Sequence, residues 1–305
     1  MNAGALVVGE ALIDEVLEGD RVSRHVGGSP ANVALGLARL GVPTRLHTAI
    51  GADEDGQLIR TLLSDSGAAL TEESVTDVST SRATATLAVD GSASYEFTLS
   101  WDPRPLDDLG SPTVIHTGSL GAFLEPGNEI SADIVRRGRG SGAIVTFDPN
   151  IRPSLIRDAL TARSRFEALA SSSHVTKLSD EDAEFLYPSR SIDFVLDALV
   201  DAGVAVVGIT RGGHGARLAS GAERVTVPPV VTSVADTVGA GDSFMSALIW
   251  ALIFNGEGWD GQPIPQRRLE RIGSIAASAA SITVSRPGAD LPKLDELIAG
   301  GTARA

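Results

Sequence analysis

The sequence predicts an α/β fold, a mostly parallel sheet with helices on both faces, and three observations predict it. Apolar runs of strand length alternate with helix-period stretches along most of the chain, the pattern that parallel crossover units produce. Hydrophobic residues make up 43% of the 305 positions, enough to fill a core on both sides of such a sheet. One region departs from the alternation and reads as paired strands of period two, which adds a small second sheet.

The elements follow in order. Ala5–Val8 is a short apolar run and reads as a buried strand. Leu12–Val16 and Arg21–His25 are candidate strands of the small sheet. Pro30–Leu40 reads as a helix, with Ser29 as N-cap, Pro30 in the first helical position and Gly41 closing it. Arg82–Val89 and Ala93–Leu99 alternate around Asp90-Gly91-Ser92, a hairpin signal. With the two earlier strands they form either a flap that closes over a site or an edge extension without that role. Thr113–His116, Ala143–Asp148, His174–Lys177 and Val204–Thr210 are further strands. Helical stretches lie near Glu129–Arg139, Leu155–Ser171 and Ser191–Ala202. Ala216–Ala219 is another strand, and a long apolar helix runs from Gly241 to about Phe254. No repeat or low-complexity linker divides the chain, so a single domain over residues 1–305 is expected. Sheets of this kind bind ligands beyond the carboxyl ends of their strands.

Composition excludes several classes. The net charge is −14 and no Lys/Arg cluster stands out, which argues against a nucleic-acid partner. There are no cysteines, so disulfides, Cys-ligated zinc and thiol catalysis are out. The amino terminus shows no basic stretch followed by a long apolar run, and Phe244–Phe254 falls short of the roughly 20 residues a membrane span needs. A cytoplasmic protein without a membrane partner is the expectation. No Walker-type phosphate loop, HExxH or EF-hand pattern occurs.

Three glycine-rich stretches carry the chemistry. In Asp236-Thr237-Val238-Gly239-Ala240-Gly241-Asp242, the small residues leave backbone N–H groups uncovered at a helix start, where an anion is stabilised. Asp242 stands where it could take a proton from a hydroxyl brought to that anion, the arrangement phosphoryl transfer to an alcohol requires. Taken alone, the same residues fit a Gly-rich turn with an Asp cap. In Gly27-Gly28-Ser29-Pro30-Ala31-Asn32, paired glycines admit a ligand to the backbone and Asn32 offers a donor and an acceptor suited to sugar hydroxyls; the alternative is a plain loop-to-helix junction. Asp14, after the first strand, could take two hydroxyls of a polyol or simply face water. Thr210-Arg211-Gly212-Gly213-His214-Gly215 follows a strand and could lie along nucleotide phosphates, or be a turn only.

Together these segments resemble the ribokinase-like, or PfkB-type, carbohydrate kinase family. Gly27–Gly41 (GGSPANVALGLARLG) matches its amino-terminal signature and Asp236–Phe244 (DTVGAGDSF) its carboxy-terminal one. His116–Leu120 with Leu124–Gly127, Phe147–Pro153 and Val284–Ala289 look like the fructokinase branch. The resemblance implies a three-layer α/β/α sandwich with a β lid from about residues 12–26 and 82–100, acting as a monomer or a homodimer. It implies ATP-dependent phosphorylation of a sugar, fructose first; 2-keto-3-deoxygluconate, ribose or a nucleoside are alternatives within the family, and a non-catalytic sugar sensor is the alternative outside it. By motif, Asp242 is the base and Gly239, Ala240 and Gly241 the anion hole. Asp14, Gly27, Gly28, Asn32 and Arg152 hold the sugar. Lys177, Thr210, Arg211, Gly213 and Gly215 line the nucleotide side. A monovalent cation such as K⁺ falls to carbonyls of Asp236, Val238, Thr283, Arg286 and Gly288. Mg²⁺ is expected with ATP, but the family's N-x-x-E stands here as Ser179-Asp180-Glu181-Asp182, which leaves Asp182 as its water-mediated anchor.

Overall fold

The computed structural model describes residues 4–19, 21–87, 93–156, 158–256 and 258–299. Its main sheet has nine strands in the order Glu223–Val227, Ala216–Ser220, Val206–Thr210, Val175–Ser179, Ile144–Asp148, Val114–Gly118, Ala5–Val8, Thr44–His47 and Ala68–Leu70. All neighbours pair in parallel except at one edge, where Val206–Thr210, Ala216–Ser220 and Glu223–Val227 form an antiparallel meander.

Alternation along the strands splits the core in two. Val7, Val114, Ile144, Val175 and Val206 point to one face and pack under helices Ser29–Arg39, Ala240–Ile249 and Gln266–Val284. Leu6, Val8, Ile115, Val145, Phe147, Leu178, Val207 and Ile209 point to the other, under helices Gly127–Gly140, Ala159–Ser171 and Ile192–Asp201. Strands buried on both faces read as continuous apolar runs, which is why the sequence exposes them. Chain order runs outward from Ala5–Val8 in both directions. The sheet therefore has a topological switch beside this strand, and its carboxyl end opens into a crevice.

A separate four-stranded sheet has the order Arg21–Gly27, Leu12–Glu18, Ser81–Leu87, Ala93–Thr98. Asp14 pairs with His25 on one side and Ala83 on the other, and Ala83 with Phe97, so these four share one face. The Asp90-Gly91-Ser92 turn and Val89 lie outside the described residues. Charged side chains hold the opposite face to the helix Glu54–Asp65: Arg82 donates to Asp55 at 2.5 Å, and Arg24, bonded to Glu15 within the sheet, is 3.9 Å from Asp55. Among the described residues no helix is long and apolar enough to cross a membrane.

Three element expectations need correction. Ser29 is not the N-cap of its helix. Gly28 is, at φ 97°, and Ser29 is already helical. A side chain at Gly28 would strike the Glu10 carbonyl, its Cβ coming within 2.6 Å, so glycine there meets both a backbone and a space requirement. The helix expected from Leu155 starts at Ala159, because Asp158 accepts from the N–H groups of Leu160 and Thr161 and caps it. The helix expected to run to about Phe254 is α-helical only to Ile249, then continues as a π-helical turn, Trp250–Phe254.

Candidate active site

The crevice at the switch contains a cavity of about 310 Å³. Every main-sheet strand end nearby contributes. Glu10 follows the strand Ala5–Val8, Ser119 and Leu120 follow Val114–Gly118, and Asn150 and Arg152 follow Ile144–Asp148. Asp14, Ala83 and Phe97 close it from the small sheet, and Gly239, Gly241 and Asp242 from the helix Ala240–Ile249. Ser119 and Asn150 have φ of 49° and 36°, a left-handed backbone uncommon for residues other than glycine and concentrated at functional sites.

Asp242 is the most constrained side chain in this cavity. It is 6% exposed, in the first turn of its helix. Ser29 Oγ donates to its Oδ1 at 2.6 Å and Asn32 Nδ2 to its Oδ2 at 2.8 Å. Ser29 and Asn32 are three residues apart and so lie on one helix face. The two helices approach closely because position 36 is glycine: a Cβ there would come within 2.5 Å of Ser246 Oγ. A carboxylate has about four acceptor sites, so both bonds leave room for a substrate hydroxyl.

The turn before Asp242 is set by Gly239, the N-cap, at φ 76°; a Cβ there would meet Ala289 at 2.7 Å. The Ala240 N–H makes a long bond to the Thr237 carbonyl at 3.3 Å. The Asp236 carboxylate accepts from the N–H groups of Val238 at 3.0 Å and Gly288 at 2.9 Å, stitching the turn to the loop after Val284. These bonds, Val238's first, hold the Asp236 carboxyl below the usual carboxylate range. In that loop the carbonyl of Thr283 accepts from Arg286 N–H and that of Gly288 from Asp290 N–H. The Arg286 guanidinium is ion-paired with Glu296 and with Asp290.

Beneath the turn lies a buried ion pair. The register that sets Thr146 beside Val175 also sets Asp148 beside Lys177. Lys177 Nζ is 2.9 Å from Asp148 Oδ2, with the two side chains 4% and 1% exposed. No N–H or O–H among the described residues is aligned as a hydrogen bond on either Asp148 oxygen. Lys177 Nζ would lie 3.1 Å from a Cβ built on Gly241, so the ammonium sits directly under the anion turn. Burial alone would drive Lys177 toward neutrality, but Asp148, then Asp242 and Asp182, hold it protonated. Lys177, expected on the nucleotide side, has its ammonium buried against Asp148 directly under that turn.

Asp182 forms a capping box with Ser179. Its Oδ2 accepts from Ser179 N–H at 2.9 Å, and its Oδ1 from Ile151 N–H at 2.7 Å. Both oxygens are thus engaged, whereas the neighbouring Asp148 carboxylate meets the Lys177 ammonium through Oδ2 alone. Among the described residues no group of three or more His, Asp or Glu is placed to hold a metal ion.

The sugar-side residues expected from the sequence converge. Asp14, Gly28, Asn32 and Arg152 line the cavity, and Gly27 leaves room for Asp14, whose Oδ2 would lie 2.1 Å from a Cβ at that position. Burial pushes the Asp14 carboxyl up, while Arg152 and then His25 pull it down. Arg152 donates to Asn150 Oδ1 at 2.7 Å. Thr210, Arg211, Gly213 and Gly215 do not line the cavity. They form a turn at the carboxyl end of Val206–Thr210, closed by Arg211 N–H to the Gly215 carbonyl at 2.8 Å. Sequence reasoning missed Glu10 and the direct contact of Ser29. Glu10 is buried and accepts from Gly121 N–H at 2.7 Å; burial pushes its carboxyl up to about 7. Its place just past the first strand was the available signal. Nothing in the sequence marks Ser29, because it fits the capping rule.

Comparison with known proteins agrees with this geometry. The profile described as pfkB family carbohydrate kinase matches residues 5–296. A fructokinase of Rhizobium leguminosarum bv. trifolii is 31% identical over 262 residues, 81% of this chain and 79% of its own. A fructokinase of Salmonella typhimurium is 29% identical over 304 residues, 95% of each chain. The crystal structure of a fructokinase with bound ATP from Xylella fastidiosa superposes with a TM-score of 0.83 at 24% identity, over 98% of both chains, a likeness of fold.

Proposed function

The chain belongs to the pfkB family of carbohydrate kinases, and from that premise we propose that it transfers the γ-phosphoryl group of ATP to a hydroxyl of fructose. One observation carries the reading: Asp242 is held by Ser29 and Asn32 in the cavity at the switch, one residue after a helix-start turn suited to phosphate. The sugar hydroxyl gives its proton to Asp242 as its oxygen bonds to the γ-phosphorus, and the bond from that phosphorus to ADP breaks. The Gly239–Gly241 turn and the Lys177 charge below it stabilise the charge on the transferring group.

A small polyol suits the cavity. At about 310 Å³ it stands at the low end of ligand pockets. Glu10, Asp14, Asn150 and Arg152 offer donors and acceptors for several hydroxyls, and Phe97 is the only aromatic lining residue among those described. A nucleoside base would find no aromatic pair to stack between. The relatives named as fructokinases select fructose among the sugars. The nucleotide lies along the Thr210–Gly215 turn. Mg²⁺ brought in by ATP fits Asp148, whose Oδ1 has no hydrogen-bond partner among the described residues, with Asp182 beside it; when bound it would screen phosphate charge. A monovalent cation belongs between the stitched loops, near the carbonyls of Asp236, Val238 and Arg286.

Arg152 favours one second reading. It hydrogen-bonds Asn150 at the cavity, and no carboxylate among the described residues is in ion-pair contact with it. It could receive the carboxylate of a sugar acid such as 2-keto-3-deoxygluconate. ADP release with Mg-ATP and K⁺, measured side by side on fructose, ribose, 2-keto-3-deoxygluconate and adenosine, decides. Turnover on fructose above the others supports the proposal. A different winner replaces the sugar, and no turnover on any of them overturns the proposal.

A further inference from the structure

Ser29 sits where sequence rules place a helix cap, yet the cap is Gly28, in a conformation that leaves the Ser29 hydroxyl without a capping role. That hydroxyl is 6% exposed and aims at Asp242 Oδ1 at 2.6 Å, a short charge-assisted bond. We propose that Ser29 is a positioning residue for the phosphoryl-transfer step: with Asn32 it fixes the plane of the Asp242 carboxylate. The inference rests on the carbohydrate-kinase reading of the site.

The geometry separates this role from a packing one. The hydroxyl and the Asn32 amide approach different oxygens of one carboxylate, from successive turns of one helix. Two such bonds leave the carboxylate little freedom to rotate about its last torsion. With one removed, the group pivots on Asn32 alone, and the acceptor lone pair aimed into the cavity is no longer fixed. A misplacement of this size weakens proton transfer in the transition state much more than sugar binding. Lys177 and Asp148 face Asp242 from the main-sheet strands beneath it, and Glu10, Asp14 and Arg152 line the same cavity. None of them touches Ser29 in the hydrogen bonds of the site. Removing the Ser29 hydroxyl therefore leaves that electrostatic background in place.

The test is Ser29→Ala, which deletes one oxygen. kcat falls about tenfold or more, as expected for losing a hydrogen bond to a charged group, while KM for the sugar stays within about twofold. Thermal unfolding of the same variant, unchanged within a few degrees, excludes simple loss of structure. A kcat equal to that of the parent overturns the proposal, as does a loss expressed only in KM. If the parent protein itself turns over no sugar, the kinase reading fails. A turning-over parent beside an unaffected Ser29→Ala variant removes only the role of Ser29.

Discussion

The two sides of the crevice are built differently. On the sugar side, three buried carboxylates are held by protein partners: Asp242 by Ser29 and Asn32, Glu10 by Gly121, Asp148 by Lys177. On the nucleotide side, the Thr210–Gly215 turn is held by backbone bonds. A Cβ at Gly215 would strike the Val227 carbonyl and Pro229, so the turn lies against the segment that leads on to the Gly239 turn. That segment leaves Val231 98% and Val234 66% exposed. One side is preorganised at the level of side chains, where each atom has a fixed neighbour. The other offers backbone and open apolar surface to whatever arrives. Substitutions should therefore cost much on the first side and little on the second.

The largest effect is expected at Asp242. Asp242→Asn keeps the shape and loses the base, so kcat falls by about 10² to 10⁴ while sugar affinity changes little. Steady-state kinetics with an independent sugar-binding titration separates the two. Near-parental kcat removes Asp242 from the chemistry and with it the contrast between the sides. The next effect is on stability. Lys177→Met leaves Asp148 as an uncompensated buried charge, and breaking such a pair costs about 3–5 kcal/mol. Urea unfolding measures it, and adding Asp148→Asn to the variant should recover part of the loss. If Lys177→Met unfolds like the parent, the pair is not the fixed charge described under the turn.

How much of this could be read from the chain follows the same division. The apolar strands beside the switch are legible because burial on both faces leaves continuous runs, as in Ala5–Val8 and Ile144–Asp148. Thr44–His47 and Glu223–Val227 were missed because they mix polar and apolar residues, and Ala68–Leu70 because it has only three residues. Asp242 and the glycines were legible because their residue types are what the chemistry demands at a helix start. Ser29 was misread because local capping rules point to the hydroxyl, while the actual cap is set by the backbone of a glycine squeezed against Glu10. The pairing of Lys177 with Asp148 was not legible, because a strand-end lysine has no sequence mark for pointing inward. That direction follows from register with Asp148, a contact 29 residues away along the chain.

Glu10 sharpens the contrast through pH. Burial raises its carboxyl from 4.5 to about 7, so the folded protein keeps a proton that the unfolded chain has released. Where the folded state binds more protons, stability falls as pH rises. The loss begins near pH 4.5 and is complete just above pH 7, and the shift corresponds to about 3 kcal/mol. Glu10→Gln cannot ionise, so its stability relative to the parent should improve steadily from pH 5 to pH 8. Unfolding midpoints measured across that range check it, and a constant difference between the two proteins would mean that Glu10 is ionised in the fold.

Val231 tests the other side, where the expected effect is smallest. Its side chain is almost fully exposed, so Val231→Ser removes apolar surface that nothing in the folded protein covers. Stability should stay within about 0.5 kcal/mol of the parent. Any cost must appear when a nucleotide covers the valine, and two methyl groups incompletely buried limit it to less than about tenfold in KM for ATP. kcat should not change, because Val231 lies eleven residues before the base and outside the sugar cavity. A large fall in kcat would mean that this open segment closes during turnover and positions reacting groups. The nucleotide side would then be organised by side chains too, but only after ATP has bound.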